Sequence, residues 1–187
     1  MINHKVMNAT PIKCITTIIF LLTISIAIHG QGNSNYSAIR NANIQIKSSL
    51  NNTPMAWTTD VIDIKLNKQT GDFEANILVD NLTYATPNAD FTGATGENKG
   101  KYLTLSGVLP VNDVLENANN AIDRKVDITT EFNEIEYHST FTFTILKFQT
   151  GGFSAMASGT VSHSALGITN LEQLSDELVI ILSFTGY

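Results

Sequence analysis

Hydrophobic and polar residues alternate strictly through Tyr137-His138-Ser139-Thr140-Phe141-Thr142-Phe143-Thr144-Ile145. In an extended chain successive side chains point to opposite faces, so Phe141, Phe143 and Ile145 share one face and Thr140, Thr142 and Thr144 the other. Threonine and phenylalanine both suit a pleated, half-buried surface, so local propensity agrees with the pattern. The segment predicts a strand with an apolar inner face. Those aromatics can either fill a core or line a ligand cavity, and period-two spacing serves both.

The same alternation recurs along the chain. Asn43-Ile44-Gln45-Ile46-Lys47 predicts a first strand, and Asp60–Leu66 places Ile62, Ile64 and Leu66 on one face. Asn67-Lys68-Gln69-Thr70-Gly71 is a turn signal, and Phe73, Ala75, Ile77 and Val79 form the apolar face of a returning strand, which together predict a hairpin. Residues 81–101 are rich in Asn, Thr, Gly and Pro and read as a long loop. Tyr102–Leu109 resumes the strand signal. Val111, Val114, Leu115, Ala118 and Ile122 recur at helical spacing, predicting a short helix within 111–122. Strands are expected at 125–132, 134–147 and 152–162. Leu171, Leu174 and Leu178 suggest one helical turn before a last strand, 178–184. The sum is an all-β fold of about eight antiparallel strands with one or two short helices. An up-and-down barrel fits, and so does a β-sandwich.

The N-terminal segment follows different rules. Lys5 and Lys13 precede an apolar run from Ile15 to Ile28, followed by His29-Gly30-Gln31-Gly32. A basic start, a short apolar stretch and a small, polar exit predict a secretory signal peptide over 1–31, cleaved near Gly30 or Gln31. A membrane anchor is the competing reading, but the run is shorter than the ~18 residues a span requires and no charged stop-transfer cluster follows. The mature domain is then 32–187, in the periplasm or secreted. Cys14 is the only cysteine, so that domain would be held by its core without disulfides. Without Lys5 and Lys13, the 11 basic residues become nine against 17 acidic ones, a formal charge of −8. That balance argues against nucleic acid and anionic membrane surfaces, both of which reward basic patches.

Candidate chemistry is sparse. Glu134, Glu136 and His138 lie at i, i+2 and i+4, so on a strand they share a face and could hold a divalent cation. The same face continues through Thr140, Thr142 and Thr144, which reads as a solvated outer surface, so no metal is expected. Ser162-His163-Ser164 hints at a hydrolytic pair. Strand neighbours point to opposite faces, however, and no glycine-framed nucleophile elbow is present, so no catalytic residue is expected. Asn35-Tyr36-Ser37, Asn51-Asn52-Thr53 and Asn81-Leu82-Thr83 match the glycosylation sequon, a triplet common by chance in an asparagine-rich chain.

The order of segments in the second half carries a resemblance. Lys101-Tyr102-Leu103-Thr104-Leu105-Ser106-Gly107-Val108-Leu109-Pro110-Val111 is followed by Gly152-Phe153-Ser154-Ala155-Met156-Ala157-Ser158-Gly159-Thr160-Val161. Leu166-Gly167-Ile168 and Leu174-Ser175-Asp176-Glu177-Leu178-Val179-Ile180 come next. This resembles the YceI-like family of exported, lipocalin-like proteins that bind polyisoprenoid or other long apolar lipids. The hairpin from Asn67 to Val79 suits the early part of that family, and the likeness spans about 40–185. The family's mid-chain Arg-Asp stretch is only poorly echoed by Asp90-Phe91 and Asp123-Arg124, its Tyr-Pro pair is absent, and its Arg-x-Asp-Phe-Gly-Ile element becomes Ser162–Ile168 without the arginine or aspartate.

The resemblance implies a non-catalytic, exported β-barrel carrying an apolar lipid such as a polyisoprenoid, with no cofactor. The expected partners are that lipid and, as an allowed assembly, a second copy in a homodimer; no nucleic acid and no membrane span after cleavage are expected. The expected cavity wall is Trp57, Phe73, Ile77, Val79, Tyr102, Leu105, Phe141, Phe143, Ile145 and Phe153. An eight-stranded barrel is just wide enough to be filled by side chains or to hold one small ligand. The alternative is a secreted β-sandwich, a surface or adhesion module with a filled core.

Overall fold

The structure is a computed structural model that describes residues 35–85, 98–111, 121–149, 151–168 and 174–187. The expected leader, most of the 111–122 segment and Leu171 lie outside these residues.

Ten strands follow one another in sequence. They are β1 (Ile39–Leu50), β2 (Thr53–Thr59), β3 (Ile62–Leu66), β4 (Asp72–Leu78), β5 (Thr83–Tyr84), β6 (Tyr102–Val108), β7 (Ile122–Phe132), β8 (Ile135–Lys147), β9 (Phe153–Ser162) and β10 (Glu177–Gly186). They form a single curled antiparallel sheet in the order β3-β4-β6-β7-β8-β9-β10-β1-β2-β5. One curled sheet, rather than two packed ones, is a lipocalin-like barrel and sets the sandwich alternative aside.

The register shows how the ring closes. Ile44 pairs with Thr59, and Tyr36 bridges Asn67, eight residues further along both strands. β2 and β3 are therefore one interrupted strand running beside β1, broken at Asp60-Val61, where the Thr59 hydroxyl accepts the Val61 N–H at 3.1 Å. At the closing end the Ser37 N–H donates to the Leu66 carbonyl at 2.9 Å, and the Lys68 N–H donates to the Asn35 carbonyl at 2.7 Å. Counted this way, eight strands surround the interior and β5 is a short addition to the edge of β2.

Local chemistry explains the turns. Asn51 and Asn52, and Asn133 and Glu134, adopt positive φ in the two-residue connections of β1–β2 and β7–β8. Primed turns of this kind match the twist of a hairpin. Between β3 and β4 the Asn67 carboxamide oxygen accepts the N–H groups of Gln69 and Thr70, and Gly71 sits at φ 79°. The β3–β4 hairpin expected from the sequence is present in register, Leu66 opposite Phe73 and Ile62 opposite Ile77.

β8 alternates as expected: Phe141, Phe143 and Ile145 are buried, while Thr140 and Thr142 are exposed. Its outer threonines bond across the ladder, Thr140 to Asp127 at 2.9 Å and Thr144 to Asp123 at 2.6 Å.

Several expectations need correction. β2 and β5 were not foreseen, β1 runs well beyond 43–47, and β7 begins at Ile122, which pairs with Ile145 and so cannot close a helix. Leu178 belongs to β10 and Leu174 bridges Leu50, so these two do not share a helical turn. Among the described residues the helical element with a defined span is a 3-10 turn, Val79–Asn81. No helix among them is long and apolar enough to cross a membrane.

Candidate functional site

The inward faces of the strands converge on one apolar interior. Of the ten residues expected there, nine are buried: Trp57, Phe73, Ile77, Val79, Leu105, Phe141, Phe143, Ile145 and Phe153. Tyr102 is not, with 54% of its surface exposed. The reason is parity. Leu103 and Leu105 face inward on β6, so Tyr102 must face out, opposite Leu78. Tyr102 and Leu105 could never have shared a face.

The buried residues are not one continuous wall. Inside the barrel, Phe73 stacks on Phe184 with ring centres 5.8 Å apart and planes 15° apart. Phe143 meets Phe73 edge-on at 6.0 Å, and Phe153 meets Phe184 edge-on at 6.1 Å. Offset stacks and edge contacts are the favoured aromatic geometries. This cluster fills part of the interior next to Leu66, which pairs with Phe73. Phe184 was missing from the sequence-based set, although Leu178, Ile180, Leu182 and Phe184 carry the same period-two signal in β10.

An apolar void lies at each end. At the end marked by Trp57 and Val79, Ile46, Leu103, Val161, Leu166 and Ile180 help enclose about 30 Å³. That is room for about one water molecule. At the other end Leu66, Leu109, Val111, Ile145, Phe153 and Tyr187 line a cavity of about 210 Å³, with Ser37, Lys68 and Gly152 beside them. Its depth is set by Leu66, Leu109, Ile145 and Phe153, all buried, while Lys68 and Tyr187 are exposed at its mouth. Leu109 is placed there by the β3–β4 turn, where its N–H donates to the Gly71 carbonyl at 2.9 Å. A side chain at Gly71 would collide with the Leu109 carbonyl, so this contact requires glycine. Of the expected residues, Ile145 and Phe153 reach the larger cavity and Trp57 and Val79 the smaller. The other six, Phe73, Ile77, Tyr102, Leu105, Phe141 and Phe143, line neither void.

A polar clamp stands at the narrow end. The Asp176 carboxylate accepts the Ser164 N–H at 3.0 Å and the Ser162 hydroxyl at 2.8 Å, and the buried His163 places Nε2 at 3.8 Å from it. Hydrogen bonds from the Ser164 hydroxyl and N–H, then from the Ser162 hydroxyl, pull the Asp176 pKa down to about 2. The Ser162 hydroxyl is thus directed to a carboxylate rather than to an imidazole base. The clamp holds the turn whose Leu166 and Ile168 roof the small void.

Glu134 lies in the β7–β8 turn at φ 67°, off the strand face that carries Glu136 and His138. His138 is exposed, 3.9 Å from Glu136 through Nε2 and 3.0 Å from the Thr129 hydroxyl through Nδ1. The three residues do not converge. No group of three or more His, Cys, Asp or Glu among the described residues is placed to hold a metal.

No protein-family model matches this sequence, and no curated protein matches it. Solved structures do. A polyisoprenoid binding domain from Saccharophagus degradans implicated in plant cell wall breakdown superposes with a TM-score of 0.66 at 9% identity, covering 81% of this chain and 97% of that one. BcnA of Burkholderia cenocepacia superposes with a TM-score of 0.53 at 10% identity, covering 78% and 96%. This chain therefore has the lipocalin-like barrel fold of a polyisoprenoid binding domain.

Proposed function

We propose that this chain is a divergent YceI-like protein, exported through its N-terminal leader to the periplasm or beyond, that binds an apolar lipid chain without transforming it. The observation that carries this reading is the apolar cavity of about 210 Å³ at the Leu109–Tyr187 end, which opens beside the aromatic cluster. The shared fold supports it, because a neighbour of 9% identity is a polyisoprenoid binding domain. Burial is worth about 0.8 kcal/mol per CH₂, so roughly five buried prenyl or acyl carbons are needed to offset even the low end, about 4 kcal/mol, of the cost of association.

The cavity is smaller than the ~300–1,000 Å³ of a typical ligand pocket, so as it stands it admits the end of a chain. The test is organic extraction of the purified protein followed by lipid mass spectrometry, with a parallel titration by a polyprenol. An apolar lipid recovered at near one-to-one stoichiometry supports the proposal. Repeated recovery of none, with no uptake of polyprenol, refutes it.

A further inference from the structure

The mouth of the larger cavity is chemically asymmetric. Its depth is apolar and buried, and Lys68 stands at its rim, exposed. The backbone of Lys68 is fixed by the closure of the barrel, since its own N–H is the donor to the Asn35 carbonyl at 2.7 Å.

The nearby charges are otherwise engaged. Lys65, three residues earlier, lies 3.5 Å from Glu74 and 3.8 Å from Asp63. Asp72, at the far end of the same turn, accepts the Thr70 hydroxyl at 2.6 Å. Lys68 forms no ion pair among the described residues. A second cation adjoins the mouth: the Arg40 guanidinium lies 5.5 Å from the ring centre of Tyr187, a residue of the cavity wall. Two cations at one apolar opening run against the acidic balance of a chain whose net charge is −6.

Size completes the argument. Each water takes about 30 Å³ of liquid, so a cavity of about 210 Å³ equals some seven waters and cannot enclose an amphiphile whole. A chain end enters and its polar end stays outside, level with Lys68. Beside an apolar wall an ammonium–anion attraction is screened less than in open water.

Resting on the lipid-binding reading above, we propose that this mouth selects single-chain amphiphiles with an anionic headgroup, phosphate or carboxylate, and that Lys68 is the specificity-determining residue. The tail supplies affinity and Lys68 supplies the choice of headgroup.

The experiment is calorimetric titration of the full chain with n-decyl phosphate, n-decanol and inorganic phosphate, each below its aggregation threshold, on the wild type, Lys68→Gln, Lys68→Glu and Lys65→Gln. Position 68 is exposed, so unchanged melting temperatures are expected for its variants. Decyl phosphate should bind the wild type about two- to fivefold more tightly than decanol, as an exposed ion pair implies. Lys68→Gln should erase that preference, Lys68→Glu should invert it, and Lys65→Gln should keep it. Inorganic phosphate alone should not bind measurably, because it has no tail. Equal binding of decyl phosphate and decanol by the wild type would overturn the headgroup proposal while leaving lipid binding intact. So would an unchanged preference in Lys68→Glu, or binding of inorganic phosphate as tight as that of decyl phosphate. Failure of both amphiphiles to bind would overturn the lipid reading and this proposal together.

Discussion

The ring of Phe141 occupies the space that a side chain at Gly159 would need: a Cβ at position 159 would overlap the ring. Phe141 on β8 thus packs on the bare backbone of β9, just beyond the last pair between these strands, Thr142 with Ser158. Gly159→Ala should lower stability by about 1–3 kcal/mol, the usual cost of overpacking a filled core. In a Phe141→Leu background the same substitution should cost clearly less. Urea denaturation of the four proteins of this cycle decides the matter, and additive penalties would contradict the contact.

How much of this was legible beforehand depends on the scale of the interaction. The Phe141–Ile145 alternation is local, so the all-β fold, the β3–β4 hairpin and the inward aromatics could be read directly. β2 was hidden because Pro54 and a polar inward residue, Thr59, interrupt the apolar run Met55, Trp57. Ile122 matched a helical period, yet its pairing with Ile145 placed it in β7. Tyr102 breaks with its apolar neighbours because strand parity sets it opposite to Leu103 and Leu105 on β6. The cavity mouth is different in kind. It joins residues 37, 66, 68, 109, 111, 145, 152, 153 and 187, which only the closing of the barrel brings together. Alternation tells which face a residue takes. It does not tell which void the face borders.

The Asp176 clamp gives a pH dependence with a definite sign. Its carboxyl titrates near 2 in the folded protein, below the ordinary value of 3.8. A depressed acid contributes stability that is fully present above the unfolded pKa and fades as pH falls through the folded one. Wild type should therefore exceed Asp176→Asn in urea midpoint by a constant margin above about pH 5, and the margin should shrink between pH 4 and 2. A margin independent of pH down to 2 would show that the clamp does not act through the carboxylate.

Phe184 packs edge-on against Phe153, which lines the larger void, so truncating Phe184 should enlarge that void. Phe184→Ala is expected to cost about 3–5 kcal/mol of stability. Ligand binds only the folded state, so a saturating polyprenol should raise the melting temperature of Phe184→Ala more than that of the wild type. Equal shifts in both would mean that Phe184 does not limit how far a chain enters.

Tyr102 supplies a matched pair with Leu105. Tyr102→Ser changes an exposed outer position and should move stability by no more than about 0.5 kcal/mol, without altering ligand uptake. Leu105→Ser places a hydroxyl among buried apolar residues and should lower the thermal midpoint by several degrees. Comparable losses in the two variants would contradict the inward–outward assignment of β6.

The central claim is that an apolar chain enters the barrel between Leu109 and Tyr187. It is tested most directly by methyl NMR of the full chain with a long-chain amphiphile carrying a nitroxide at its tail end. At substoichiometric ligand the account expects broadening first at the methyls of Leu66, Leu109 and Ile145, with Leu166 and Ile180 at the opposite end affected last or not at all. Broadening that begins at Leu166 and Ile180, or none at any interior methyl, would contradict it.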